Sequence, residues 1–431
     1  MKKFSDPVFR ETWYEETMPG GLKAVVIHKP MFVTTSCLFA TPYGSLDCCQ
    51  TDEQGRVYSF PKGTAHFLEH KLFESDHGDV MDDFSRMGAS VNAYTSYEET
   101  VYYFNSSAGD ISEPLRLLLD FVQDFSVSEQ SVEREKGIIL EERNMYNQDP
   151  DSRIMLEVMK NMYAVHPVNE DIVGSPESIR SFSRKILEEA YRLNYHPSRM
   201  MLVCVTPCDP AAIMDIIRTS QQCRHFAEAP VLKRAVYAEP AAVVKDKTVL
   251  HMDVSCGKSA IGFKLAVRDE SAYERALREC CIKLCLDAWF TAVNPDYQNW
   301  IDEGYITPYF SYDLEIEEDR ANILFLDEKE DGEAFRSFII SQMEKCISSG
   351  IREQTLDQLR KRALGSILHL LNSPSDLSAA WFHGISDGIS VFDEFRMISR
   401  VSAETCLKMI RSIHTDASTL VILRKTGKNA E

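Results

Sequence analysis

Two histidines and two glutamates are crowded into KGTAHFLEHKLFES, residues 62–75. A helix turns by about 100° per residue, so His66, Glu69 and His70 fall within an arc of about 100° on one face. Two imidazoles one turn apart can each place a nitrogen on a single zinc ion, and the glutamate between them can then accept a proton from water. The pattern predicts a zinc site, and the alternative is the polar face of a surface helix.

A catalytic zinc site needs a third protein ligand and keeps one position open. Glu74 is a poor candidate because it lies eight residues after His66, or about 12 Å along the helix axis. The third ligand is therefore expected from another element.

The segment SVEREKGIILEERNMYN, residues 131–147, is the best source of that ligand. Its helical projection places Glu135 and Glu142 in the middle of an apolar arc that is predicted to be buried. The arc is formed by Val132, Ile138, Ile139, Met145 and Tyr146. A buried carboxylate needs a partner, and a metal ion would pair with one of them while the other hydrogen-bonds a ligand. Buried salt bridges to Arg or Lys are the alternative.

Composition and charge narrow the function classes. The chain has 431 residues with 47 Lys and Arg against 66 Asp and Glu, a formal charge of −19. This acidic balance disfavours nucleic acid and anionic lipid as partners. No apolar run is long enough for a membrane span and the first residues hold no secretion signal, so a cytoplasmic location is expected. Among the other histidines, His77 is expected to lie in a loop rather than to bind the metal ion.

The order of predicted elements indicates an α+β fold built from two related halves. Each half shows strand pairs followed by helices, and each is expected to form an antiparallel sheet packed with helices. Residues 225–243 have the composition of a linker. We therefore expect an N-terminal metal-bearing domain over residues 1–225 and a related domain without metal over residues 240–431.

Three segments in this order resemble the insulinase/pitrilysin family of zinc peptidases, the inverzincins with the signature H-x-x-E-H. GTAHFLEHKLFE is similar to the metal helix of the family, ASVNAYTSYEETVYYF to its substrate-side hairpin, and VEREKGIILEE to its distal glutamate helix. The nearest resemblance is to the bacterial YmfH-like branch. The resemblance implies a half-shell fold like that of the mitochondrial processing peptidase.

The resemblance also implies roles for individual residues. It makes His66, His70 and Glu142 the ligands of one Zn²⁺ per chain and Glu69 the general base. Glu135 would support the ligands by a hydrogen bond. Residues Asn92 and Ala93 would lie on a strand that pairs with the backbone of a peptide substrate, which is strand addition.

One departure concerns the partner. The family draws oxyanion stabilisation from an Arg and a Tyr seven residues apart, and alignment on Gly304 places Trp300 and Thr307 at those positions. The resemblance therefore implies a dimer of half-shells around a chamber, with an unlike family member supplying the Arg/Tyr pair, or else a homodimer. The expected function is hydrolysis of short or unfolded peptides. The alternative is a zinc-holding peptide-binding or scaffold subunit with little activity alone.

Overall fold

The computed structural model describes residues 1–75 and 78–426. His77 lies outside these residues. The strands, in chain order, are β1 (Lys2–Asp6), β2 (Glu11–Thr17), β3 (Lys23–His28), β4 (Thr35–Thr41), β5 (Cys49–Asp52), β6 (Val57–Ser59), β7 (Glu74–Ser75), β8 (Gly78–Asp79), β9 (Ala89–Thr95), β10 (Thr100–Ser106), β11 (Met201–Thr206), β12 (Leu232–Arg234), β13 (Lys247–Met252), β14 (Lys258–Lys264), β15 (Ser311–Ile316), β16 (Ala321–Asp327) and β17 (Ser418–Lys425).

The α-helices are α1 (Thr64–Leu72), α2 (Val80–Arg86), α3 (Ser112–Val122), α4 (Glu129–Gln148), α5 (Pro150–Met162), α6 (Pro176–Ser181), α7 (Arg184–Asn194), α8 (Pro210–Gln222), α9 (Ala272–Phe290), α10 (Tyr297–Asp302), α11 (Gly332–Ser349), α12 (Glu353–Leu370), α13 (Pro374–Ser386), α14 (Val391–Arg400) and α15 (Ala403–Ile410). Short 3₁₀ turns occur at Pro19–Gly21, Ser45–Cys48, Pro167–Asn169 and Pro197–Arg199.

The chain divides into two compact units that are interleaved in sequence. The first unit comprises Met1–Arg143, Asp171–Ala235 and His369–Ser386. The second comprises Asn144–Glu170, Val236–Leu368 and Asp387–Glu431. The predicted domain limits of 1–225 and 240–431 stay a prediction.

A seven-stranded sheet forms the framework of the first unit. Over the described residues its strand order is β1-β2-β3-β11-β4-β10-β9. Strands β3 and β11 are parallel, and all other neighbouring strands in this order are antiparallel. One face is covered by α1, α3 and α8, whose apolar residues join the core cluster that includes Phe39, Phe67 and Leu118. Strand β9 closes one edge of this sheet, directly beside α1.

The other face of this sheet is covered by a helix from far along the chain. Helix α13 packs on β11 and β4. The Oγ atoms of Ser378 and Ser36 are hydrogen-bonded at 3.3 Å. The ring of Trp381 meets that of Trp13 edge-on, with centroids 4.9 Å apart. The first unit is therefore complete only with residues 369–386 in place.

The second unit repeats the topology of the first. Its sheet has the order β13-β17-β14-β16-β15 in the part of the chain described. Numbered along the chain, this is 1-5-2-4-3, which is also the order of β3, β4, β9, β10 and β11. In both sheets strands 1 and 5 are parallel, and two helices lie between strands 2 and 3 in the chain, α1 and α2 in the first unit and α9 and α10 in the second. The predicted α+β fold of two related halves is confirmed, with each sheet mainly antiparallel.

Candidate metal centre

Helix α1 presents its histidines beside a firmly anchored N-terminus. Gly63 precedes the helix with a φ of 89°, in the left-handed region that favours glycine. A Cβ on this residue would lie 2.3 Å from the carbonyl oxygen of Val173, so the loop backbone packs directly on the start of the helix. Phe67 and Leu68 are fully buried and fix the rotation of α1, with His66 itself only 8% exposed.

Helix α4 brings the distal glutamates to the same place. Val132 and Ile139 are buried two turns apart and attach the helix to the core. Glu135 and Glu142 have the same spacing, and their side chains are 13% and 21% exposed.

The predicted apolar arc of α4 is wrong in part. Ile138, Met145 and Tyr146 are 55%, 59% and 42% exposed. Only one edge of the arc is therefore in the core, and the two carboxylates lie at a half-buried margin rather than in the middle of a buried face. Projection assigns residues to a face but does not show how wide the packed part of that face is.

Three predicted ligands come together across α1 and α4. Ligand atoms of His66, His70 and Glu142 all lie within 4.8 Å of one another. The Oε2 atom of Glu142 is 3.3 Å from Nε2 of His70 and 3.7 Å from Nε2 of His66. Within the described residues this is the one such group of three or more His, Cys or carboxylate side chains.

The hydrogen bonding of the group fits a metal ion. The Oε2 atom of Glu142 is buried and has no hydrogen-bond partner among the described residues. Two imidazole nitrogens face it, and a buried carboxylate oxygen without a donor is costly unless a cation pairs with it. Two histidines and one carboxylate are also a ligand set that zinc uses in catalytic sites.

Electrostatics at the group favour a cation. The pKa of Glu142 lies well below its usual range because of its interactions with His66 and His70. Burial alone would lower the pKa of His70, but Glu135, Glu142 and Glu69 outweigh burial and raise it to about 9. The carboxylates therefore create a negative potential at the His70 ring.

Glu135 lies behind the histidines rather than among the ligand atoms. Its Oε1 atom is 3.1 Å from Nδ1 of His70, and its Oε2 atom accepts a hydrogen bond from Nζ of Lys71 at 3.0 Å. Glu74 is directed away from the cluster, where it pairs with Lys71, Ser131 and Arg134. This matches the expectation that Glu74 is not the third ligand.

Glu69 has a single anchored oxygen. The Oγ1 hydroxyl of Thr95 donates a 2.6 Å hydrogen bond to its Oε2 atom. Thr95 is the last residue of β9, so the hairpin fixes the carboxylate next to the histidine pair. Thr95 and Lys71 were not predicted as site residues.

The edge strand β9 carries Asn92 and Ala93. Asn92 is exposed, and its side-chain oxygen accepts the backbone N–H of Ala93 at 2.8 Å. One side of β9 pairs with β10, and in the sheet order of the described residues its other side has no neighbouring strand. An extended peptide could add there. The substrate-binding role of both residues stays a prediction.

Of the two positions expected for an Arg/Tyr pair, Trp300 lies in the core of the second unit and Thr307 is half-buried. Trp300 is only 8% exposed, and its ring packs against Phe338 with centroids 5.2 Å apart. The backbone N–H of Thr307 donates to Asp327 at 2.8 Å, and its hydroxyl bonds the same carboxylate. Neither side chain offers a cation or a phenol to a substrate.

Comparison with known proteins identifies the family. The sequence profile of the insulinase family (peptidase family M16) matches residues 58–175, a range that contains α1, β9 and α4. The chain is 35% identical over 403 residues to the uncharacterized zinc protease YmfH of Bacillus subtilis, covering 93% of this chain and 94% of that protein. This chain belongs to the insulinase family of peptidases.

Two further proteins are similar to this chain. The crystal structure of a putative M16-like peptidase from Alicyclobacillus acidocaldarius has a TM-score of 0.91 and 29% identity, covering 98% of this chain and 100% of that one. The beta subunit of the human mitochondrial processing peptidase is 28% identical over 208 residues, which are 47% of this chain and 42% of that subunit.

Among the described residues, no helix combines the length and the apolar character that crossing a bilayer requires. The cytoplasmic location stays a prediction.

Proposed function

We propose that this chain is a zinc-dependent metalloendopeptidase that hydrolyses short or unfolded peptides. The observation that supports the proposal is that His66 and His70 face a buried carboxylate oxygen of Glu142, which has no hydrogen-bond partner among the described residues. Glu69 is held beside these three residues by Thr95. The metal chemistry belongs, on this proposal, to the first unit. A zinc-protease relative that matches 93% of the chain supports it.

His66, His70 and Glu142 would hold the ion. Zinc in such a site supplies a water of lowered pKa and polarises the scissile carbonyl. The protein supplies the proton transfer: one oxygen of Glu69 is engaged by Thr95, which leaves Oε1 to take a proton from the attacking water and deliver it to the leaving amine.

Substrate binding is assigned to the free side of β9. Backbone hydrogen bonds along Ala89–Thr95 would hold the peptide extended, with the scissile bond opposite the Glu69 carboxylate. Main-chain pairing depends little on sequence, so selectivity would be broad and limited to chains that can extend. Folded proteins would be poor substrates.

A partner would complete the chamber. Because Trp300 and Thr307 are packed into the second unit, this chain lacks an Arg/Tyr pair at those positions, and an unlike family member would supply it. A relative named as a subunit of a processing peptidase is consistent with such pairing. The same observation favours a second candidate function, a zinc-holding peptide-binding subunit with little activity alone.

The test is hydrolysis of a pool of unstructured peptides by the purified chain, with zinc and with a chelator, followed by mass spectrometry. Glu69→Gln should abolish cleavage while the protein still binds one zinc per chain. Glu141→Gln is the matched control, since Glu141 is exposed on the same helix as Glu142 and should leave cleavage unchanged. Zinc binding without cleavage by the wild-type chain would favour the second function, and absence of zinc binding would refute the proposal.

A further inference from the structure

Lys71 is a buried cation next to the histidine pair. Its side chain is 1% exposed, although it lies on the same short helix as His66 and His70. Removing an ammonium group from water costs several kcal/mol unless carboxylates surround it. Two do: Nζ of Lys71 bonds Glu74 and is 3.0 Å from Oε2 of Glu135.

Glu135 joins this cation to the candidate metal site. Its two oxygens are divided between two partners, with Oε1 at His70 Nδ1 and Oε2 at Lys71 Nζ. A carboxylate held at both oxygens cannot rotate freely, so the direction of its bond to His70 is fixed. With Nδ1 engaged in this way, the other ring nitrogen of His70 faces Glu142 at 3.3 Å.

The far side of Lys71 is anchored to the other helix. Glu74 bonds Ser131 of α4 and accepts a 2.7 Å hydrogen bond from Arg134 of α4. The ammonium group is therefore fixed between α1 and α4 at both of its carboxylate partners. Through Glu74, the ammonium group therefore has an anchor on α4 that does not involve Glu135.

The charges around the histidines also need Lys71. Glu69, Glu74, Glu135 and Glu142 contribute four negative charges, and Lys71 and Arg134 contribute two positive charges. When both imidazoles are neutral, as metal ligands must be, the sum is −2, which a divalent ion balances. Without Lys71 the same group would carry −3 in a half-buried site.

We propose that Lys71 is a positioning residue for the metal site: it holds Glu135 so that His70 presents Nε2 to the ion. Lys71 does not touch the ion or the substrate. The inference rests on the proposed zinc site at His66, His70 and Glu142.

Lys71→Met tests the proposal by zinc affinity, because it keeps the length of the side chain and removes the charge. Loss of a group that orients a metal ligand weakens metal binding by roughly 10- to 100-fold. We expect the zinc Kd of Lys71→Met, from competition with a chelator, to rise by that factor. The Co²⁺-substituted protein should also show an altered d–d absorption spectrum, which a role in stability alone would not change.

Lys136→Met is the matched control. Lys136 lies on α4, is 14% exposed and pairs with Glu133 at 2.5 Å. Its loss removes a Lys–Glu pair on the same helix as Glu135, with the Glu133 carboxylate 60% exposed, and both the zinc Kd and the Co²⁺ spectrum should stay as in the wild type. A folded Lys71→Met protein with wild-type Kd and spectrum would overturn the proposal.

A double variant keeps the proposal testable if Lys71→Met alone does not fold, because Glu135→Gln removes the buried carboxylate charge that Lys71→Met would leave unpaired. Glu135→Gln and the double variant Lys71→Met/Glu135→Gln should have equal zinc Kd values, since Lys71 acts through Glu135. A further tenfold loss in the double variant would overturn the proposal. Metal affinity is measured without peptide, so a protein that binds zinc but cleaves nothing would contradict the proposed endopeptidase and leave the role of Lys71 intact.

Discussion

Glu239 of the second unit gives a prediction whose size follows from its contacts. Its carboxylate accepts the backbone N–H groups of Ala164, Val165 and His166 at 2.8, 2.9 and 2.8 Å. It also accepts a hydrogen bond from Nζ of Lys264 at 2.6 Å, and the two side chains are 10% and 5% exposed. Four donors therefore bond one negative group, and Nζ of Lys264 also donates to the carbonyl oxygens of Met162 and Ala242.

Glu239→Gln removes the charge and replaces one acceptor oxygen by a donor. Two of the four donors then lose their partner. Burial alone would raise the pKa of Glu239, but the backbone N–H groups and Lys264 outweigh burial and lower it from 4.5 to about 2. A pKa difference of about 2.5 between unfolded and folded chain corresponds to about 3 kcal/mol of stability at neutral pH.

The stabilisation by Glu239 depends on pH. Because the pKa of Glu239 is lower in the folded chain, its stabilisation is complete above pH 4.5 and is lost as the pH falls toward 2. In urea denaturation, the free energy of unfolding of Glu239→Gln should be lower than that of the wild type by about 3 kcal/mol at pH 7 and by about 1 to 1.5 kcal/mol at pH 3.

Glu344→Gln serves as the control, because Glu344 is exposed on α11 and should change the free energy of unfolding by less than about 0.5 kcal/mol at either pH. A loss for Glu239→Gln below 1 kcal/mol at pH 7 would refute the reasoning, as would an equal loss at pH 7 and pH 3. The first result would mean that the four contacts add little. The second would mean that the effect is not electrostatic.

Three more outcomes are expected. Thr95→Val removes the hydrogen bond to Glu69 and should lower kcat about 10- to 100-fold with zinc content unchanged; unaltered kcat in steady-state peptide hydrolysis would contradict this. Gly63→Ala places a Cβ 2.3 Å from the Val173 carbonyl oxygen at a φ of 89°, so the free energy of unfolding should fall by at least about 2 kcal/mol, measured by urea denaturation; a loss within 0.5 kcal/mol would rule out the close approach. Chelation should lower the thermal midpoint of unfolding of the wild type, because bound zinc contributes about 3 kcal/mol of stability at a free zinc concentration of about 100 times Kd. The midpoint of Glu142→Gln should not change. An equal shift in both proteins would argue against Glu142 as a zinc ligand.

The clustering of His66, His70 and Glu142 was predictable because helical periodicity fixes which residues share a face. His66 and His70 are four positions apart, and Glu135 and Glu142 are seven positions apart. The two side chains of each pair therefore lie on the same face of their helix, whatever the tertiary structure. That the two helices meet was inferred from the need to partner buried carboxylates. The width of the buried face of α4 was not predictable, since Ile138 and Met145 look like core residues in sequence.

Lys71 could have been found from the sequence. At about 100° per residue from His66, it projects at about 140°, between Phe67 at about 100° and Leu68 at about 200°. A lysine in the middle of an apolar arc needs a carboxylate partner. Thr95 gave no such signal, because its contact with Glu69 depends on the packing of the hairpin against α1. The short N-terminal strands β1 and β2, which have few buried residues, were also missed.

The return of α13 to the first sheet has a consequence for biosynthesis. Ser36 bonds Ser378, and Leu38, two residues along β4, is buried on the same face. During synthesis this face is not covered by α13 until about residue 386 has left the ribosome, by which time most of the second unit has been synthesised. A nascent chain halted near residue 235 would present an apolar sheet to other chains, so the first unit finishes folding late and needs protection from aggregation until then.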